Sequence, residues 1–529
     1  MTSTYNNLQG TRAGKATSPW VSFVALLFAT FVTIEAAAFQ APVLPSVTAH
    51  FNIPVNLAAL ILIAYFIAVA VFAPMMGRLG DQYGRRRMVV IGLIVFGVSE
   101  FMAAWAPGFG FFLMARFLQG LGVACIFPAV FSYVNHLFPE EKRGTALGLM
   151  MFIMTLGAAT GGLLGGLLID AFGWPSVYII SGILAFLGLL PLLVWVPESR
   201  GEAAAGKFDA RGAVMLFITI AALLSLPTWA ANFGRASWVT WAVVVTGVIS
   251  LLLLWRDSGR HATPILDVSL LKDRHFAVPS AIYWIQMLMN SGIVYSLAFF
   301  INNRPGGSAS QFGMVTLALF GCTMLASQVA GKLIDRFEPR LISILSLLGS
   351  LLAMLYFVRM DVSVPLVTVL IMAGFIGVML ASNSTATMKL ALGAVPPHKS
   401  GAGSGLFSML RDLGSPTGSS FALAIFGLSS TLHTRRVVDE TAEKMQLSDS
   451  LSAELFAASG AHSAELSAEL MAALLATGNE IDQVLETINV ASLGGAITNV
   501  GYLMLGMLVL ALALTPWLAR RRDIQAISG

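Results

Sequence analysis

Charge is what this chain has least of. Asp, Glu, Lys and Arg make up 11% of its 529 residues, against about 25% in ordinary soluble domains, which excludes a water-soluble fold. Cysteine is nearly absent: Cys125 and Cys322 both fall inside apolar runs, arguing against a disulfide framework or a metal site and leaving them as packing residues. The seven His are scattered, and no nucleophile stands beside a base and an orienting acid, so the chain does not read as an enzyme. Nor is there a Gly-x-x-x-x-Gly-Lys-Ser/Thr loop to cradle ATP phosphates, which argues against a nucleotide-driven pump.

What is present is hydrocarbon, at 57% hydrophobic residues. Runs of about 20 apolar residues, enough to cross a bilayer as helix, recur along almost the whole length. Fourteen are predicted: 20–40, 56–77, 87–106, 109–131, 145–169, 175–196, 211–232, 238–256, 276–302, 309–334, 341–359, 364–393, 403–428 and 492–518. Residues 1–19 and 519–529 read as tails, and the first run is long enough to stay in the membrane rather than be cleaved as a signal.

The cations test that count. Cytoplasmic loops retain Lys and Arg, and with both termini inside, 22 of the 31 Lys and Arg fall on the cytoplasmic side, in the tails, at 78–87, 142–143, 200–211, 256–274 and 332–340, and at Lys399. The net charge of +4 is then a by-product of topology and carries no implication for nucleic acid. The longest segment outside the membrane, 429–490, is an acidic extracytoplasmic loop. Leu451, Leu455 and Ala458, then Leu466, Leu470 and Leu474, recur there at helical spacing, suggesting short amphipathic helices that form a packed cap or, alternatively, act in gating or in receiving substrate; extracytoplasmic partner proteins are a further expectation.

Two stretches repeat each other. Gly77-Arg78-Leu79-Gly80-Asp81-Gln82-Tyr83-Gly84-Arg85-Arg86-Arg87 returns 254 positions later as Gly331-Lys332-Leu333-Ile334-Asp335-Arg336-Phe337-Glu338-Pro339-Arg340. Each joins two apolar runs, so one membrane-embedded unit is written twice, the signature of carriers that alternate access around a central cavity. The first copy resembles the signature loop of the major facilitator superfamily, which lies between spans two and three on the cytoplasmic side. In such a loop Gly77 and Gly84 let helix ends approach. Asp81, Arg85 and Arg86, with Asp335, Arg336 and Arg340 in the second copy, engage helix ends and one another.

Other motifs extend the resemblance over the whole chain. Arg116-Phe117-Leu118-Gln119-Gly120 is similar to the superfamily's Arg-x-x-Gln-Gly pattern, which implies a part for Arg116 in proton coupling. A guanidinium at mid-span, costing at least about 2.5 kcal/mol to insert, must face the interior with a partner. Gly148, Gly157, Gly161, Gly165 and Gly166 reproduce the spacing of the motif of drug:proton antiporters, with Gly162 where that motif has proline. These small residues are expected to line one face and let helices approach across the interface between halves. Gly405, Gly414 and Gly418 repeat the pattern at an offset of 257, flanking Arg411-Asp412, a buried pair by position. Residues 401–414, Phe208-Asp209 and 264–271 resemble the fourteen-span drug:proton branch.

The first span carries Glu35, one position before the usual acidic site of that branch and ahead of Pro42 and Pro45. Either the helix is distorted near Pro42 or the coupling carboxyl has moved. A carboxyl in hydrocarbon is costly to ionise and can exchange a proton as the cavity opens and closes; alternatively it pairs with Arg116 or Arg411 for structure alone. At about 100 mV one proton releases roughly 2.3 kcal/mol, enough for a gradient of about fifty-fold. On polarity within spans, Gln40, Tyr65, Gln286, Asn290, Asn383, Arg411 and Asp412 are candidate cavity residues. Lys389 snorkels to the interface or attracts an anion.

The expectation is therefore an all-α polytopic membrane protein. Two pseudo-symmetric six-helix bundles, at 20–196 and 276–518, flank an inserted two-helix hairpin at 211–256, giving 14 transmembrane helices. The resemblance implies export of amphipathic small molecules from a bacterial inner membrane, with protons as coupling ion and no cofactor or metal. Uptake or lipid movement on the same fold, and a non-transporting sensor or scaffold, are the competing expectations.

Overall fold

Apolar runs this long can satisfy their main-chain N–H and C=O groups in hydrocarbon only as helices, and helices are what the computed structural model contains. The structure describes residues 18–199, 209–258, 269–395, 400–460, 467, 469–471, 474 and 481–518, apart from 235 and 446. In the first half these form α1 (Pro19–Ala38), α2 (Gln40–His50), α3 (Val55–Tyr83), α4 (Arg85–Ala104), α5 (Phe109–Leu137), α6 (Glu140–Phe172) and α7 (Pro175–Trp195). Next come α8 (Ala210–Phe233) and α9 (Trp238–Ser258), then α10 (Arg274–Asn303), α11 (Ala309–Arg336), α12 (Pro339–Phe357), α13 (Leu366–Gly393), α14 (Ser400–Met445), α15 (Asp449–Gly460) and α16 (Ile481–Leu514). Thirteen of the described helices are long and apolar enough to cross a membrane, and the remaining predicted span, 403–428, lies inside α14.

The first crossing is one rod in two pieces. Pro42 has no N–H to offer the carbonyl four residues back, and Pro45 repeats the omission a turn later, so the helix is interrupted at Phe39 between α1 and α2. Glu35 lies one turn before that break. The helix is thus distorted near Pro42, one of the two alternatives the sequence leaves open for the position of Glu35.

Helices alternate in direction, which defines two ends. One, the loop end, holds the α3–α4 and α11–α12 turns; the other, the cap end, holds the α6–α7 turn and the segment after α14. Within the first half, α3 and α4 pack on α5, and α1 on α6 and α7; within the second, α10 packs on α14 and α16, and α11 on α13. The halves meet along α6 with α11 and α3 with α14. The pair α8 and α9 leans on α3 and α14 from outside. Its outer member shows Trp238, Trp241, Val248 and Leu252, an apolar face suited to lipid.

The segment 429–490 holds a packed helical cap, as the helical spacing of its leucines suggests. Helix α14 continues unbroken to Met445 and α16 begins at Ile481. With α15 they enclose a second small core of Val438, Leu455, Leu470, Leu474, Val484 and Ile488, with Leu451 against it. Thus Leu451, Leu455, Leu470 and Leu474 do pack together, while Leu466 and the Ala458 side chain lie outside the described residues, as do both tails.

Candidate translocation path and coupling site

The contacts between halves gather toward the cap end. Midway along the seam, a Cβ on Gly162 of α6 would overlap Thr316 of α11; one turn further, a Cβ on Gly166 would lie 2.2 Å from the Ala309 carbonyl oxygen. Beyond that, Asp170 accepts hydrogen bonds from the N–H groups of Ala309 (3.1 Å) and Ser310 (2.9 Å). Asn302 of α10 donates to the Pro42 carbonyl at 3.2 Å, and Gly427 of α14 abuts Asn56 of α3. Toward the loop end, a Cβ on Gly148 of α6, Gly331 of α11 or Gly405 of α14 would meet nothing within 4 Å.

The antiporter-type glycines are not on one face, as the sequence reading had them. Gly157, Gly161 and Gly165 face α1 and α2 within the first half, against Ile34, the Glu35 backbone and Phe39. Only Gly166, with Gly162, faces the other half. The reason is helical geometry: neighbouring positions differ by about 100°, so Gly161 with Gly165 and Gly162 with Gly166 form separate stripes.

The signature loop is tied to its own half. Gly84 turns the chain at φ 121°, a region that side chains other than glycine rarely adopt. Arg85 donates from Nε to Asp81 Oδ1 at 2.9 Å. The Arg86 N–H donates to Glu198 Oε1 at 3.0 Å, and the Arg86 guanidinium reaches the Leu193 carbonyl. Arg85 N–H donates to the Ser199 carbonyl at 2.8 Å. Glu198, after α7, thus places a carboxylate on the N-terminus of α4, where the helix dipole favours it; the sequence reading had not singled it out. In the second copy Arg340 donates to the Pro516 carbonyl at 3.3 Å and Arg336 is exposed. The Asp335 side chain lies outside the described residues.

Glu35 is 5% exposed, and among the described residues no cation forms an ion pair with it. Pairing with Arg116 or Arg411 is therefore not how it is held. Arg116, 2% exposed, sits only seven residues into α5, about 10 Å from the cap-end terminus at 1.5 Å per residue, rather than at mid-span. Its Nη1 donates to Gln119 Oε1, and its guanidinium lies 4.8 Å from the centre of the Tyr65 ring, a cation–π distance. Glu100 of α4, 1% exposed, is the carboxyl within electrostatic reach of Arg116. It escaped the sequence reading, although an acid within Val98-Ser99-Glu100-Phe101 of the third predicted span is itself a signal.

The remaining polar candidates separate. Gln40 accepts from the Tyr178 hydroxyl at 3.2 Å and donates to the Ala36 carbonyl at 3.2 Å, bracing the break between α1 and α2. In the other half Ser343 donates to Asn383 Oδ1 at 2.6 Å, and Asn383 donates to Gln286 Oε1 at 2.7 Å. Gln286 and Asn383 are thereby a buried relay joining α10, α12 and α13. Asn290, a turn further, is half-buried. Arg411 and Asp412 do pair, Nε to Oδ1 at 2.7 Å, yet their side chains are 35% and 65% exposed, so the pair is not buried. Lys389 reaches the Ile334 carbonyl at 3.5 Å. At the cap end a cavity of about 650 Å³ lies among Pro54, Asn303, Phe426, Thr434, Phe456 and Asn489.

Known proteins are similar to this chain. Multidrug resistance protein Stp of Mycobacterium tuberculosis (strain CDC 1551 / Oshkosh) is 28% identical over 411 residues, covering 77% of this chain and 76% of that protein. Multidrug efflux pump LfrA of Mycolicibacterium smegmatis is 28% identical over 419 residues, covering 78% and 81%. The fold superposes, with a TM-score of 0.63 and 15% identity, on the crystal structure of a bacterial homolog of the human lysosomal transporter Spinster, covering 95% of this chain and 97% of that one. Residues 26–419 match the profile of the Major Facilitator Superfamily, and with two helical halves joined along α6/α11 and α3/α14, the chain belongs to that superfamily.

Proposed function

We propose that this protein is a proton-coupled exporter of amphipathic, cationic or neutral compounds, working by alternating access with its loop end in the cytoplasm. One observation carries the reading: the halves meet closely at Gly162, Gly166 and Asp170 on the cap-end side of the seam, open space lies beside Gly148, Gly331 and Gly405 toward the loop end, and a buried acid with no ion pair among the described residues sits in the first helix at the level of Gly161. That is the arrangement of a carrier open to one side at a time. The Lys and Arg clustered at the loop end support a cytoplasmic orientation, and the mycobacterial relatives support a bacterial inner membrane. Their names, multidrug resistance protein and multidrug efflux pump, support an apolar, drug-like substrate class.

In this reading Glu35 takes up a proton when the path opens to the proton-rich side and releases it on the other. Substrate occupancy and protonation then alternate. The signature loop, held by Asp81 and Glu198, sets how readily the loop end closes.

The test is to reconstitute the protein in vesicles, impose a pH gradient, and measure proton release evoked by a fluorescent lipophilic cation. Wild type releases protons as the cation is taken up, and Glu35→Gln releases fewer per cation. No release from wild type contradicts coupled export; equal release from the variant removes Glu35 from the mechanism.

A further inference from the structure

We infer that Glu100 is a second proton-exchanging carboxyl, with Arg116 as its alternating counter-ion. This rests on the proton-coupled reading above and adds a site on a different helix. A guanidinium buried to 2% exposure requires negative charge or a full set of acceptors. Among the described residues Arg116 has neither: its Nη1 is used by Gln119, while Nε and Nη2 have no hydrogen-bond partner. Those two nitrogens form one edge of the guanidinium, the edge that grips a carboxylate side-on through two parallel bonds. Arg411 uses that same edge on Asp412, Nε at 2.7 Å and Nη2 at 3.2 Å. Arg116 therefore holds a complete carboxylate-binding edge empty in the interior.

The carboxylate for that edge is at hand. Glu100 Oε1 is likewise buried, with no hydrogen-bond partner among the described residues. The register of α4 on α5 brings the two together: a Cβ on Gly122 would meet Phe96, one on Gly92 would meet Cys125, and a turn further toward the cap end Glu100 comes opposite the turn holding Arg116 and Gln119. The charged and titratable groups around Glu100 are Arg116 from α5, Tyr65 from α3 and Tyr178 from α7, with Tyr295 of the second half acting on both tyrosines. Glu35 is not among them.

Two arrangements follow. With its proton in place, Glu100 is neutral and leaves Arg116 to Gln119 and the face of Tyr65, as seen here. When the proton leaves to water in the opened path, the carboxylate takes the Nε and Nη2 edge and draws Arg116 off Tyr65. Tyr295 belongs to the half that moves, so rocking of the halves changes what faces this cluster and biases it between the two arrangements.

The experiment counts protons released per lipophilic cation in vesicles, from the pH gradient that just balances a known cation gradient. Wild type should give two, Glu100→Gln one, Glu35→Gln one, and the double variant none. A wild-type value of one overturns the inference without any variant, which keeps it testable should Glu100→Gln fail to fold. A value of two unchanged by Glu100→Gln also overturns it, leaving Glu35-coupled export standing. A wild-type value of zero instead defeats the coupled reading itself.

Discussion

The Asp170 carboxylate at the cap end of α6 accepts the first two N–H groups of α11, Ala309 at 3.1 Å and Ser310 at 2.9 Å. A side chain of one half thereby caps a helix of the other, and every rocking motion that opens the cap end must break this contact. Capping bonds and the helix-end field together stabilise such a contact by about 1 kcal/mol, less where water screens it, as it does the exposed Asp170. Asp170→Asn should lower the population closed at the cap end by about two- to fivefold. Accessibility of cap-end residues to a membrane-impermeant thiol reagent checks this, and unchanged labelling contradicts the latch.

The two glycine stripes of α6 should respond differently to a methyl group. At Gly166 the added Cβ meets the Ala309 backbone at 2.2 Å, whereas at Gly157 it meets the Ile34 Cγ2 methyl at 3.2 Å. A shift of a few tenths of an ångström relieves the second contact, whereas the first needs a backbone carbonyl to move. Gly166→Ala should force α6 from α11, costing about 1–3 kcal/mol as other overpacking does, and shift the protein toward cap-end opening. Gly157→Ala should transport near wild-type rates. Equal effects would mean the seam is not where the halves part.

At the loop end, Asp81 orients Arg85 through a bond of 2.9 Å on a half-exposed pair. Such pairs contribute about 1 kcal/mol or less, roughly fivefold in a rate. Asp81→Asn should therefore slow cycling several-fold and leave equilibrium binding of the lipophilic cation in place. Binding lost from folded protein would place Asp81 in the path rather than in the switch.

Much of this was legible beforehand. Hydrophobic runs and the sidedness of Lys and Arg located the crossings because hydrocarbon permits so few solutions. The cap was legible in part, through Leu451, Leu455, Leu470 and Leu474 at helical spacing; what was not legible is that α14 carries Arg435, Arg436, Asp439 and Glu440 on as an exposed helical extension stabilised through Val438. Neither was the pairing inside the first half. Spacing along the chain says that Glu35 and Arg116 are both intramembrane, but which buried acid faces a given guanidinium depends on the register of α4 against α5. That register is set by close approach at Gly92 and Gly122. One expectation failed on simple periodicity: adjacent positions such as Gly165 and Gly166 point about 100° apart and cannot share a face; Arg411 and Asp412 do pair, but at an exposed position.

The most direct test of the account follows the two ends of the seam at once. With Cys125 and Cys322 replaced by Ser, spin labels at 147 and 333 report the loop end and labels at 172 and 314 the cap end, on residues that are all well exposed. Raising the lipophilic cation concentration, or changing pH across neutrality, should shorten the 147–333 distance while lengthening 172–314, in proportion. Distances that both stay fixed under every condition, or that lengthen together, would contradict two halves rocking about a common seam.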